Sequence, residues 1–172
     1  MPSQPRPSAG SEAELRRTAV LALLTAATVC ACSSSSGSVT VSNASVDAAH
    51  SCPAGASNAA YDLHAQVDVH NSTSNSVTIK TITADMTLEA SGGTWEEKIG
   101  DRYSVAAARF TPESVGSGAT TTVQLTVPSA CTNSKTGTGG KSHGDYQVTL
   151  HLATSSGSFS VTSKNLHTIT AA

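Results

Sequence analysis

The chain has 172 residues and a formal net charge of −2, with only 3% aromatic and 13% charged residues. This length is sufficient for one domain with a packed core. A weakly acidic chain without clustered basic residues lacks the positive patch that phosphate binding requires, so we expect no nucleic acid among its partners.

The first 31 residues have the order of an export signal. Residues 1–17 are polar and end in Arg16 and Arg17, and the uncharged stretch TAVLALLTAATVCAC follows. This stretch has about the length of the ~7–15-residue apolar core of a secretory signal and is shorter than the ~20 residues of a membrane-spanning helix. We therefore predict a helical signal peptide over residues 1–31. The arginine pair leaves general secretion and twin-arginine export both open.

The signal ends in Val29-Cys30-Ala31-Cys32, which resembles the bacterial lipobox. In that motif an aliphatic, a variable and a small residue precede the cysteine that is lipidated. The resemblance implies cleavage before Cys32 and a diacylglyceryl thioether on its sulfur; Cys30 fits less well because branched Val29 precedes it. Residues 32–38, rich in serine, are then a flexible tether. We expect a lipid-anchored protein on the extracytoplasmic face of the cell membrane.

Two of the four cysteines, Cys52 and Cys131, remain after this assignment. Exported proteins meet an oxidising environment, where two remaining thiols most simply form a disulfide with each other. Free thiols and a metal site are the alternatives, but two cysteines at this separation match no zinc-binding spacing.

The chain after the tether predicts strands. SVTVSNASV, near residue 40, is the first. YDLHAQVDVH (61–70) alternates apolar and polar residues throughout, which indicates a strand with one buried face. In VTIKTITADMTLEA (77–90) the alternation changes phase near Lys80 and Thr81, which predicts a bulge or a crossing between sheets. TTTVQLTVP, DYQVTLHLA and FSVTS alternate again. Within residues 94–110, the helical spacing of Tyr103, Ala106, Ala107 and Phe110 predicts a short helix or an irregular crossover.

Seven to eight short strands separated by Gly, Ser and Asn turns favour a two-sheet antiparallel sandwich over residues 39–172. The stretches VDVHNSTSNSVTI, TTTVQLTVP after Gly118, and GDYQVTLHLATSSGSF resemble the immunoglobulin or fibronectin type III-like domains of small actinobacterial lipoproteins and secreted antigens. This resemblance implies an all-β, immunoglobulin-like fold and no particular function. Antibody-type domains place their cysteines inside facing strands, whereas we expect Cys52 and Cys131 in loops, so that their bridge joins loops and leaves the core unlinked.

Strand histidines offer one possible chemistry. His64 and His70 share a strand face with Asp62 and Asp68, and His143, His151 and His167 lie elsewhere in the chain. Histidine and aspartate are metal ligands, but side chains two apart on a strand lie ~7 Å from each other, so a shared ion also needs a neighbouring strand. A metal-binding lipoprotein is therefore the alternative function, and a solvated strand face is the simpler interpretation.

No catalytic pattern is apparent. SVGSGA (114–119) lacks the G-x-S-x-G spacing, and the adjacent Glu96 and Glu97 point to opposite faces on a strand. Trp95 is expected to pack at the rim of the core, since one tryptophan alone makes a poor sugar platform. We expect no enzyme, metal or cofactor. The sequence predicts a non-enzymatic envelope protein, a binding or structural module of unknown ligand, for which an envelope protein and a glycan are the candidate partners.

Overall fold

The computed structural model describes residues 37–105, 107–133 and 142–172. The predicted signal peptide, Cys30, Cys32 and most of the tether lie outside these residues. No helix among the described residues is long and apolar enough to cross a membrane. The described part is built from eleven strands: β1 (Val39–Val46), β2 (Ala49–Cys52), β3 (Ala59–Asn71), β4 (Val77–Gly92), β5 (Arg102–Val105), β6 (Arg109–Thr111), β7 (Ser114–Val115), β8 (Thr120–Cys131), β9 (His143–Thr154), β10 (Gly157–Thr162) and β11 (His167–Ala171).

These strands form two sheets. The first has the order β1-β3-β8-β6, and the second has the order β2-β11-β9-β4-β5, with β10 on β9 and β7 on β4. Every pairing is antiparallel except that of β11 with β2. The first order is the A-B-E-D order of immunoglobulin domains, and β11-β9-β4 follow their G-F-C order. The prediction of an all-β, two-sheet, immunoglobulin-like fold is confirmed.

The structure has more strands than the predicted seven to eight, because two stretches of the chain are each divided into two strands and one further strand is very short. The chain crosses from the first sheet to the second between β1 and β2. β10 and β11 pair in succession with the two halves of β9. β7 has only two residues. A period-two pattern marks which residues alternate, but it does not show where a strand changes its partner.

The alternation in β3 and β8 is the basis of the core. Their antiparallel ladder runs from the Ala59–Cys131 pair to the His70–Thr120 pair. The inward positions are fully or almost fully buried and mostly aliphatic, as the alternation predicts. Each Val or Leu buried in this way contributes ~1.5–3 kcal/mol to folding. Small β-branched side chains thus take the place of the aromatic residues that this composition lacks.

The phase change predicted in β4 is a bulge. The register between β4 and β9 shifts between Ile79 and Thr81, and again between Leu88 and Ala90. Ile79 before the first shift and Ile82 after it are both buried. An extra residue lets one strand keep both halves of its pattern directed at the core.

The short helix considered for residues 94–110 is wrong, and the irregular crossover is what the structure shows. β5 pairs with β4 in the second sheet, and β6 pairs with β8 in the first. Tyr103 and Phe110 both pack against the core, one from each sheet. Their apparent helical spacing therefore arises from a chain that changes sheets between them.

The disulfide is formed, but its predicted setting in loops is wrong. Cys52 is the last residue of β2 and Cys131 is the last residue of β8, with their α-carbons 6.0 Å apart. Both side chains are buried within the core cluster. Because β2 and β8 belong to different sheets, the bridge links the two sheets to each other.

Removing this bridge should destabilise the domain. Cys52→Ala with Cys131→Ala should lower the free energy of unfolding by ~2–5 kcal/mol, because the unfolded chain is released from a loop closed across 79 residues. Urea unfolding of the oxidised wild type and of the double variant measures this difference. Peptide mapping without reductant gives the direct check: two alkylatable thiols in the folded domain would contradict the assignment.

Candidate functional site

The two ends of the sandwich differ in what they carry. The described chain begins at Gly37 and Ser38, where the Ser38 amide donates to Ser72 Oγ (2.8 Å) and the Ser72 amide donates to the Ser38 carbonyl (3.0 Å). We call this the tether end. β3 runs 13 residues from Ala59 to Asn71, which is about 40 Å at ~3.3 Å per residue. The end where Ala59 faces Cys131 is therefore far from the tether end, and we call it the cleft end.

A cleft of about 210 Å³ opens beside the disulfide at the cleft end. Its walls come from the β4–β5 connection, β5, the end of β8, the start of β9 and β11: Trp95, Glu97, Tyr103, Ala130, Cys131, Thr132, Tyr146 and Ile169. Pockets for drug-sized ligands have volumes of ~300–1,000 Å³. This cleft therefore has room for one small chemical group.

Tyr146 is the centre of the cleft. Its side chain is fully buried, and its hydroxyl donates to Glu97 Oε2. The indole Nε1 of Trp95 donates to the Tyr146 hydroxyl (3.0 Å) and to Glu97 Oε2 (3.1 Å). The Tyr103 and Trp95 rings lie 5.6 and 6.5 Å from the Tyr146 ring. Trp95 and Tyr103 are only half-buried, so each leaves part of its ring accessible.

Glycines bring Trp95 into this position. Gly93 has a φ of 70°, which lets the chain turn after β4. A β-carbon at Gly144 would lie 2.5 Å from Trp95 Nε1, so only glycine lets the indole lie against β9. Trp95 accordingly sits at the rim and packs against the core cluster, where the sequence predicted it.

Among the described residues that line the cleft, Glu97 is the only one with an acidic or basic side chain. Burial is the main cause that raises the pKa values of Tyr103 and Tyr146 well above the ordinary value, and the Glu97 carboxylate raises both further; for Tyr103 the hydrogen bond with Tyr146 acts in the opposite direction. Both hydroxyls therefore stay protonated. Because an ionised carboxylate only accepts hydrogen bonds, the donors that face Glu97 are the Tyr146 hydroxyl and the indole.

The histidines of the predicted metal alternative are scattered. His64 Nδ1 donates to Asp47 Oδ2 (2.9 Å), His70 Nδ1 lies 2.9 Å from Thr120 Oγ1, and His151 faces outward from the other sheet. Asp62 contacts Arg109, and Asp68 accepts from Asn43 and Thr122. Across residues 37–105, 107–133 and 142–172, no three potential ligands gather around one point.

His167 is held inside the sandwich. Its Nδ1 donates to the Asp47 carbonyl (2.8 Å), so its Nε2 accepts from the Tyr61 hydroxyl (3.1 Å). Burial lowers the pKa of His167 and favours this neutral form. The last histidine of the predicted set, His143, has its Nε2 3.9 Å from Asp145 Oδ2.

Sequence reasoning missed a polar network on the outer face of the second sheet. The Asp85 side chain is only 12% exposed and accepts from Arg102, from Ser104 (2.6 Å) and from His151 Nε2 (2.8 Å). His151 Nδ1 lies 2.8 Å from Ser160 Oγ. Ser160, His151 and Asp85 are thus hydrogen-bonded in the same order as the serine, histidine and aspartate of a catalytic triad. Asp85 accepts hydrogen bonds from β5 and β9, and His151 extends the network to Ser160 on β10. The network therefore connects β4, β5, β9 and β10.

No protein-family model matches the chain, and no curated protein matches it. Among solved structures, the chain is similar to the ASH / PapD-like domain of human CEP192 (PapD-like domain 7). The match has 14% sequence identity and a TM-score of 0.33, and it covers 78% of this chain and 84% of that one. At this distance the likeness carries no information about ligand or role.

Asp85→Asn should destabilise the domain in a pH-dependent way. The Ser104 hydrogen bond, with those of Arg102 and His151, lowers the pKa of Asp85 from 3.8 to about 2 despite burial. The ionised carboxylate is therefore fully stabilising above pH ~4, and this contribution is lost as the pH falls through about 2. We expect a loss of ~1–3 kcal/mol at pH 5, measured by urea unfolding, that diminishes toward pH 2.

Asp62→Asn is the matched control, because Asp62 makes an exposed ion pair with Arg109. Such pairs contribute ~0–1 kcal/mol, so this variant should unfold nearly as the wild type does. An Asp85→Asn effect that stays constant between pH 5 and pH 2 would contradict the role of the charged network.

Proposed function

We propose that this chain is an exported, lipid-anchored, non-enzymatic β-sandwich that presents a small binding cleft away from the membrane. The observation that carries the proposal is the buried Cys52–Cys131 bridge, which links the two sheets. Structural disulfides belong to oxidising compartments and are rare in the cytosol. The bridge thus supports export, in agreement with a signal whose last cysteine has the lipobox context.

The position of the tether supports the orientation. Cys32 precedes Gly37, the first described residue, by five positions, and five residues span at most about 18 Å. A lipid on Cys32 therefore keeps the tether end close to the bilayer. The cleft end is then displaced outward by the length of β3, where an envelope protein or a glycan can reach it.

The polar network supports a non-enzymatic role. A relay aspartate orients its histidine and stabilises the imidazolium that forms during the reaction. Asp85 instead has the Arg102 guanidinium as a permanent counter-charge and Ser104 as a further donor. These partners satisfy the carboxylate in the resting protein, which is the arrangement of a structural network.

Metabolic labelling with a fatty acid tests the anchor in producing cells. The wild type should carry the label and fractionate with membranes, whereas Cys32→Ala should lose both properties, because the thioether has no other sulfur in the lipobox context. Cys30→Ala is the matched control and should be labelled like the wild type. Equal labelling of the wild type and Cys32→Ala, or loss only in Cys30→Ala, would overturn this assignment.

A further inference from the structure

We propose that the cleft binds an alkylammonium group, either a quaternary ammonium or a protonated amine carried by a larger molecule. This inference rests on the proposed function, in which the cleft end is the exposed binding end, and it names the chemical class of the ligand. The contacts of Glu97 and the half-exposed Trp95 and Tyr103 rings carry it.

Glu97 is an acidic side chain whose carboxylate, within the described part of the chain, is held in place by neutral donors. Its Oε2 accepts from the Tyr146 hydroxyl and the Trp95 indole, both neutral donors. In the described part of the chain, no Lys or Arg nitrogen lies within ion-pairing distance of this carboxylate, and Oε1 accepts no hydrogen bond. A carboxylate that neutral donors hold in the wall of a cleft is complementary to a positive charge.

The aromatic walls favour an organic cation. A cation near the face of an aromatic ring is attracted by the ring quadrupole, and tryptophan is the most effective partner. Trp95 and Tyr103 flank the buried Tyr146 and expose part of their rings. Ile169 and Ala130 add apolar side chains to the lining. Methyl or methylene groups around a nitrogen match this lining, whereas a small hydrated metal ion does not.

The size of the cleft separates this ligand class from a glycan. At about 210 Å³ the cleft accommodates a head group and is smaller than the pockets of drug-sized ligands. A neutral sugar also offers no charge to Glu97. The sequence-based expectation of a glycan thus receives less support here than a cationic group.

Trp95 reports directly on binding, because it is the only tryptophan in the chain. We would titrate the full-length lipidated protein in detergent with choline and with 3,3-dimethyl-1-butanol, the uncharged carbon isostere of choline, at constant ionic strength. Choline should cause a saturable change in Trp95 fluorescence. The isostere should bind at least about tenfold more weakly, since it keeps the shape and lacks the charge.

Glu97→Gln removes the charge and keeps a hydrogen-bond acceptor. It should weaken choline binding at least about tenfold, and Tyr103→Leu should weaken it as well by removing one aromatic wall. Glu89→Gln is the matched control, because Glu89 is an exposed carboxylate on β4, and it should bind choline like the wild type. Near-UV circular dichroism and thermal unfolding verify that each variant is folded.

Several results would overturn the proposal. These are equal affinity for choline and its isostere, no response to choline, or a response to a neutral disaccharide alone. A fourth result would be that the Lys135→Gln/Lys141→Gln double variant binds choline and the wild type does not. The occupant of the cleft would then be a lysine of the chain itself, and the proposal of an external ligand would be overturned. These readouts are independent of fatty-acid labelling, so failure of the cation site and failure of the anchor are distinguishable.

Discussion

The antiparallel ladder between β3 and β8 fixes the two ends of this sandwich, and every functional statement depends on it. Because side chains alternate along a strand, a slip of one residue would turn Leu63 and Val67 outward and their polar neighbours inward. The register from Ala59–Cys131 to His70–Thr120 excludes that slip. It also places Cys131 beside the cleft and the other end of the ladder near Ser38, at the start of the described chain.

The distribution of side chains follows from a composition poor in aromatic residues. The core is formed mainly by Val, Leu, Ile and Ala, which pack well on pleated sheets. Trp95, Tyr103 and Tyr146 gather at the cleft end, next to the disulfide. The bridge holds the two sheets together there, and this keeps cleft walls that come from both sheets in register.

Local periodicity predicted the inward faces of β3, β8 and β9 because burial on one face leaves a period of two in the sequence. The bulge at Thr81 left a readable phase change for the same reason. The spacing of Tyr103 and Phe110 wrongly suggested a helix, because these residues lie on different sheets and their separation along the chain reflects no single secondary structure. Cysteine counting found the pairing of Cys52 with Cys131, but it did not reveal that both lie at strand ends.

The parts that escaped prediction are contacts between distant strands. Asp85 meets His151 only through the β4–β9 register, and Ser160 joins them through β10. The cleft similarly requires the turn at Gly93 and the absence of a side chain at Gly144, which let Trp95 reach Tyr146. Neither contact leaves a pattern along the chain, so both become visible only once the strands are paired.

The central proposal is that a lipid on Cys32 and the cleft lie at opposite ends of one sandwich, and its most direct test is the distance of each end from the bilayer. Fluorophores on Ser117→Cys, at the tether end beside Thr73, and on Ile99→Cys, which is 67% exposed near the cleft end, would be compared in lipidated protein on vesicles that contain acceptor-labelled lipids. The account predicts strong energy transfer from position 117 and weak transfer from position 99. Equal transfer, or stronger transfer from position 99, would contradict it.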